Sequence, residues 1–245
     1  MVKDTILLFY MNFLISIGPR VPGSEGHKKL REFLYKEFKN MGYLCKVDSF
    51  IEDNFKFYNL IFKKGKNNFI LLGTHYDTKE GIEGANDSGS GVILLLYLAK
   101  KLRDLDKNLL FVFFDGEDFG ETPPLYGSRH FAKKNYDIKW GIVFDMIGDK
   151  NLEIFMEGYS LKYAPFITDS IFSYAEKRKI NFFHKKLKYY IIDDHLPLLE
   201  ANKKVILLID FDYPYWHTLE DTWDKISLEN IEKLGNFIVD YLKTK

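Results

Sequence analysis

The chain has 245 residues, enough for one large α/β domain, and its 46% hydrophobic and 17% aromatic content is ample for a core. Its thirty-five basic and thirty-five acidic side chains cancel, so there is no electrostatic case for nucleic acid or an anionic membrane as partner. A single cysteine, Cys45, excludes an internal disulfide and fits a reducing, cytoplasmic setting.

The first apolar run, Ile6 to Ile15, follows Lys3 and has the length of a signal-peptide core. Asp4 lies in the would-be positive region, however, and no small-residue cleavage site follows. The spacing of Ile6, Leu7, Met11, Phe13, Leu14 and Ile17 predicts instead a first helix packed on the domain. Secretion is the alternative, and it requires residues 1–17 to be a signal segment. The run falls short of the roughly 20 apolar residues of a membrane span.

Gly18 to Gly23 is a loop stiffened by Pro19 and Pro22. Ser24 is a good N-cap for a helix whose inner face is Leu30, Phe33, Leu34, Phe38 and Met41, ending near Gly42. His27, on the polar start of that helix, reads as a surface residue. Tyr43 to Phe50 and Phe55 to Phe62 read as strands forming an antiparallel edge of a sheet, the second entering a Gly-Asn turn at Gly65 to Asn68. Phe69 to Leu72 is a strand that runs into Gly73-Thr74-His75-Tyr76-Asp77, and a short loop then reaches Gly84 to Gly91. A helix is predicted over Gly89 to Asp104, with Asp87 just before its N-terminus, where the dipole favours a carboxylate.

Asn108 to Asp118 is the centre of the pattern. Leu109 to Phe114 shows no apolar/polar alternation, as expected of a strand covered on both faces. It breaks into Asp115, Gly116, Glu117 and Asp118, three acids that are costly to bury unless a cation or a proton compensates. Open α/β sheets bind ligands at the carboxyl ends of their strands, so this edge is a candidate metal site. Phe119 to Gly127, with Pro123-Pro124, reads as irregular surface, and Ser128 to Lys134 as a helix on which Arg129 and His130 are structural or rim groups.

Ile142 to Phe144 is another strand, ending at Asp145; Leu152 to Met156 is a further one. Ala164 to Lys179 is predicted helical from Pro165, and Asn181 to Tyr190 is a strand with exposed lysines. His184 has no acidic neighbour in the sequence and takes no role. Asp193-Asp194-His195 then either contacts ligand or caps the short helix through Glu200. Val205 to Ile209 is a strand leading through Asp210 and Asp212 to Tyr215-Trp216-His217-Thr218, and Ser227 opens an amphipathic helix through Leu242. Four apolar strands thus each lead to His or Asp. Their separate loops exclude a zinc-finger or HExxH arrangement. No repeat or linker divides the chain, which reads as one domain over residues 1–245.

With the loops assembled, the chain resembles the zinc aminopeptidases of peptidase family M28 and the related animal-type glutaminyl-peptide cyclotransferases. The resemblance runs through GPRVPGSEGH (Gly18 to His27), THYDT, GANDSGSGV, FFDGED, LYGSRHFA, FDMIGD, DDHLPLL and YWHTLEDT. It implies a single α/β domain with a mixed, mostly parallel twisted sheet and helices on both faces. It further implies Asp87, Asp118 and His217 as zinc ligands and Glu117 as general acid and base. A second zinc, if bound, would take His75 and Asp145, bridged by Asp87. A cis bond at Asp87-Ser88 is also implied.

The two branches of the family differ in the attacking group. A cyclotransferase converts an N-terminal glutamine to pyroglutamate with loss of ammonia, whereas an aminopeptidase hydrolyses the first peptide bond. Trp216 matches a pocket tryptophan of the cyclotransferases, and Asp193 with Asp145 matches their substrate-steering carboxylates. Against this, Asp118 replaces their glutamate, the loop corresponding to Phe119 to Tyr126 lacks their tryptophan, and a histidine expected near Leu207 is missing. The expectation is a cyclotransferase acting on a peptide or small protein with a free N-terminus, with no nucleic-acid or membrane partner. The alternatives are an M28 aminopeptidase and a non-enzymatic binding module. No motif encodes an oligomeric state.

Overall fold

The computed structural model describes residues 4–120 and 124–245; Lys3, and Pro123 of the Pro123-Pro124 pair expected in a surface loop, lie outside these. Six strands form one sheet in the order β1 (Leu44–Glu52), β2 (Phe55–Lys64), β4 (Leu109–Phe114), β3 (Phe69–His75), β5 (Ile138–Asp145), β8 (Val205–Ile209). The β1, β2 and β4 pairs are antiparallel, and the β4, β3, β5 and β8 pairs are parallel. This is the expected mixed sheet with an antiparallel edge.

Period-two alternation sorts each central strand between two cores. Phe111 and Phe113 face one helix layer, while Leu110, Val112 and Phe114 face the other. The first layer holds α1 (Thr5–Ile17), α2 (Glu25–Asn40), α3 (Gly91–Leu102) and α8 (Leu228–Lys243). The second holds α4 (Tyr126–Ala132) and α7 (His195–Glu200), which contribute Phe131 and Leu198. Leu7 and Leu14 seat α1 in the core as its spacing predicts, with Tyr10 beside them, while Ile6, Met11, Phe13 and Ile17 are partly buried against it. The Ser24 and Ser227 hydroxyls accept from His27 N and Asn230 N, so both expected caps are formed. Helix α3 is buried almost all round, because it lies on β3 and touches α1, α2 and α8 as well.

A second, two-stranded parallel sheet pairs β6 (Ile154–Glu157) with β7 (Phe183–Tyr189). Between them run α5 (Gly158–Tyr163), which the sequence pattern did not suggest, and α6 (Pro165–Arg178), which it did. Among the described residues no helix is long and apolar enough to cross a membrane.

The order of the strands positions the site. Strand β3 lies between β4 and β5, so the chain leaves it toward one side and later returns on the other. Such a reversal opens a crevice at the carboxyl ends, where open α/β sheets bind ligands. His75 ends β3, Asp115 to Asp118 follow β4, and Asp145 ends β5.

Candidate metal centre

The strand ends and the loops after them bring Asp87, Glu117, Asp118 and Asp145 together with His75 and His217. His75 Nε2 lies 3.0 Å from Asp87 Oδ1 and 3.2 Å from Asp145 Oδ1. His217 Nε2 lies 2.9 Å from Asp118 Oδ1 and 3.4 Å from Asp87 Oδ2. Asp87 therefore turns one oxygen to each histidine. His75, Asp87 and Asp145 form one group whose ligand atoms lie within 4.8 Å of one another, and Asp87, Asp118 and His217 form another.

Both groups have the donors and spacing of a zinc site. Two carboxylates and one imidazole are ordinary zinc ligands, and bonds of about 2.0–2.1 Å put tetrahedral neighbours roughly 3.3 Å apart. The gaps of 2.9–3.4 Å bracket that spacing. Without a cation this packing is costly. Burial and the adjacent Asp118 push the Glu117 carboxyl well above the usual range, with His75 pulling it back. Burial likewise raises Asp145 to about 6 and Asp193 to about 7, the neighbouring charge of Asp87 and of Asp145, respectively, adding to it.

Several groups hold the ligands from behind. Asp77 accepts from Glu117 N at 3.2 Å and from Asp118 N at 3.0 Å, and its Oδ1 is 3.7 Å from His75 Nδ1. Asp221 accepts from Asn86 N and Asp87 N, and from the Tyr213 hydroxyl. Arg20 is fully buried; its Nε donates to Tyr76 O, Nη1 to Glu83 O and Nη2 to Gly84 O. One guanidinium thus ties the residue after His75 to the loop that leads to Asp87. Burial lowers its pKa to about 10, opposed by Asp221 and Asp87, so it stays charged at neutral pH. The Asp87-Ser88 bond is cis, as the resemblance implied. Met146 (φ 46) and His217 (φ 57) occupy left-handed backbone conformations that non-glycine residues adopt rarely.

The remaining expectations divide. Asp193 is buried beside the cluster and helps line a nook of about 30 Å³ with Glu117, Asp145, Ile191, Phe211 and Trp216. Trp216, 40% exposed, packs on His217 at a ring distance of 4.2 Å. Asp194 precedes α7 but makes no side-chain cap bond. Arg129 is exposed and bonds to Pro124 O, and His130 stacks on Phe50, both away from the cluster.

Three expectations are corrected. His27 is not a surface residue: it is 1% exposed, with Nε2 2.9 Å from Asp115 Oδ1 and its ring stacked on Tyr76. Asp115 accordingly leaves the acidic edge. It turns inward and also accepts from Tyr58 N at 2.6 Å, so a buried carboxylate is satisfied without a metal. His184, without an acidic neighbour in sequence, has Glu153 Oε2 3.2 Å from its Nε2 across the small sheet.

Arg20, Asp77 and Asp221 lie within GPRVPGSEGH, THYDT and YWHTLEDT, but the residue types around them do not mark them as supports for the ligands. Glu157 was missed for the same reason. It is 2% exposed and accepts from Tyr159 N, Ser160 N, Ser160 Oγ and Ile191 N, with His195 Nε2 at 3.0 Å. It pins the segment that carries Asp193.

Comparison with known proteins agrees with this geometry. The profile of peptidase family M28 matches residues 59–242. A glutaminyl-peptide cyclotransferase of Drosophila melanogaster is 27% identical over 90% of this chain and 75% of its own. The structure of Porphyromonas gingivalis glutaminyl cyclase superposes with a TM-score of 0.91 at 25% identity, covering 97% of this chain and 96% of that one. A Zn-dependent exopeptidase from Parabacteroides distasonis gives 0.87 at 27% identity, covering 96% and 95%.

Proposed function

Because the chain belongs to peptidase family M28, we propose that it is a zinc-dependent glutaminyl-peptide cyclotransferase, turning an N-terminal glutamine into pyroglutamate and ammonia. The observation that carries this reading is the nook beside the acids. It is small, walled by Trp216, Ile191 and Phe211, and floored by Glu117, Asp145 and Asp193. An intramolecular attack needs orientation and exclusion of water more than an activated water. The length of the alignment with the Drosophila cyclotransferase supports the same choice.

Asp87, Asp118 and His217 would hold the ion. The chemistry it supplies when bound is Lewis-acid polarisation of the glutamine side-chain carbonyl. Asp145 and Asp193 accept hydrogen bonds from the substrate's α-amine and aim it at the side-chain amide carbon. As the amine nitrogen bonds to that carbon, Glu117 takes its proton. The carbon–nitrogen bond of the carboxamide then breaks, and Glu117 returns the proton to the departing nitrogen, which leaves as ammonia. Asp77 keeps Glu117 and Asp118 in register through its two backbone contacts. Trp216 covers the ring as it closes. The substrate is a peptide or small protein with a free N-terminus.

One observation favours a second reading, an aminopeptidase with two metals. Asp87 faces both histidines, so His75 and Asp145 are able to share it with a second ion. Glu117 would then take a proton from an attacking water. Ammonia release from a glutamine-initiated peptide, followed with zinc-loaded enzyme and with Glu117→Gln, tests the proposal. Release by the first and not the second supports it; a free amino acid without ammonia would refute it.

A further inference from the structure

A groove with a lining separate from that of the nook begins at Asp118 in the acidic cluster. Its inner part is a cavity of about 600 Å³ that starts at Asp118 and is walled by Ile82, Phe119 and Phe55. Its outer part, about 260 Å³, adjoins the first at Pro22 and Phe55, which line both. The outer part is ringed by Lys28, Arg31 and Lys56 around Tyr58. Arg31 Cζ lies 4.0 Å and Lys56 Nζ 5.4 Å from the centre of that ring. No Asp or Glu lines this part. Among the described residues, none of the three cations forms an ion pair with a carboxylate; Arg31 Nη1 is 3.5 Å from His27 Nδ1. The inner part has one lysine, Lys79, whose Nζ donates to Gly120 O, and two acids, Glu80 and Asp118.

We propose that this groove receives the substrate residues downstream of the N-terminal one, and selects an apolar residue first and acidic side chains beyond it. The inference rests on the cyclotransferase reading for which end of the peptide sits at the metal ligands. A peptide whose first residue reaches the acids at the nook has to leave the cluster, and the nook, about 30 Å³, has no room for further residues. The groove begins at a ligand, Asp118, and offers apolar walls before it offers charge. Its outer end, with three cations and no acid, complements carboxylates and repels lysine and arginine. The half-buried Arg31 guanidinium stacks on Tyr58 at the rim of this part and adds a fixed positive charge to that of the exposed Lys28 and Lys56.

Three C-terminally amidated peptides test this, so that only side chains differ in charge: Gln-Phe-Ala-Glu-Glu, Gln-Phe-Ala-Lys-Lys and Gln-Phe-Ala-Ala-Ala. Turnover is measured with wild-type enzyme, and equilibrium binding by calorimetry with zinc-loaded Glu117→Gln, which reports on the groove even if no peptide reacts. The expected result is a roughly fivefold lower KM and Kd for the acidic tail than for the basic one, the size of two or three screened charge pairs. The difference shrinks as salt is raised. In Lys28→Glu/Lys56→Glu, both on exposed positions, the order of the two tails reverses. Equal binding of all three tails, or an unchanged order in the double variant, overturns the groove assignment. Lack of turnover together with the acidic preference in binding would count against the cyclotransferase reading alone.

Discussion

Glu117 is the residue on which the proposed chemistry turns, and its carboxylate also groups with His75 and Asp118 within 4.8 Å. Asp118 points an oxygen at His217, whereas Glu117 lines the nook. Glu117→Gln keeps the shape and removes the proton carrier. Its kcat should fall by about 10²–10⁴, the usual worth of general acid–base catalysis, while bound zinc, read by elemental analysis, stays at the wild-type level. Loss of zinc with activity would mean that Glu117 is a ligand.

Glu157 makes a prediction about stability. Its carboxyl is held at about 2, where burial is outweighed by the His195 contact and by the backbone N–H groups of Ser160 and Tyr159. A carboxyl depressed in the folded state contributes stability that is complete above its unfolded pKa and lost as pH falls through the folded value. The window here is therefore pH 4.5 down to about 2. At 1.36 kcal/mol per unit the contribution is on the order of 3 kcal/mol. Urea midpoints should fall across that window in the wild type and change less in Glu157→Gln, which should be the less stable protein at neutral pH. Parallel curves for the two would contradict the assignment.

At the scale of elements, the close approach of α3 to the sheet sets the Asp87 loop over β3. A Cβ on Gly91 would stand 2.2 Å from Thr74 Oγ1 and 3.3 Å from Phe144 O. Gly91→Ala should push α3 off β3 and β5 at a cost of about 1–3 kcal/mol, read as a lower urea midpoint with an unchanged m-value. It should also weaken zinc binding, because the same shift carries Asp87 away from His75. Unaltered stability would show that the helix rides looser than the contacts indicate.

The elements were legible where their burial is one-sided or complete. Leu109 to Phe114 reads as a central strand because both of its faces are covered, and Ser24 and Ser227 announce their helices by capping. Helix α5 was not legible: it is six residues long and its N-cap is Glu157, not one of the Ser, Thr, Asp or Asn residues that ordinarily mark a helix start. His27 misled because a polar position on a helix start is ordinarily wet, and only the tertiary fold brings the buried Asp115 against it. Likewise the ligand positions were readable as polar breaks after apolar strands. Their supports, Arg20, Asp77 and Asp221, reach the ligand loops over 40 to 135 positions of separation, so the residues beside them do not show what they hold.

For the whole molecule, the acidic cluster should link stability to metal binding. Five buried carboxyls, Glu117, Asp87, Asp118, Asp145 and Asp193, meet at the carboxyl edge of the sheet. An ion that binds only the folded chain stabilises it by about 2.7 kcal/mol at one hundred times its Kd. Chelation should accordingly lower the thermal midpoint as well as abolish activity, and zinc should restore both. Activity that survives exhaustive chelation would remove the metal from the account. Arg20 offsets part of the cluster's negative charge through Asp221, Asp87, Asp77 and Asp118.

The central claim is that this site closes a ring on the first residue of a peptide and does not shorten the chain. It is tested most directly by mass spectrometry of two peptides, one beginning with glutamine and one with leucine, incubated with zinc-loaded enzyme. The account predicts loss of ammonia from the glutamine peptide with its length unchanged, and an intact leucine peptide. Appearance of a peptide one residue shorter, from either substrate, would contradict it.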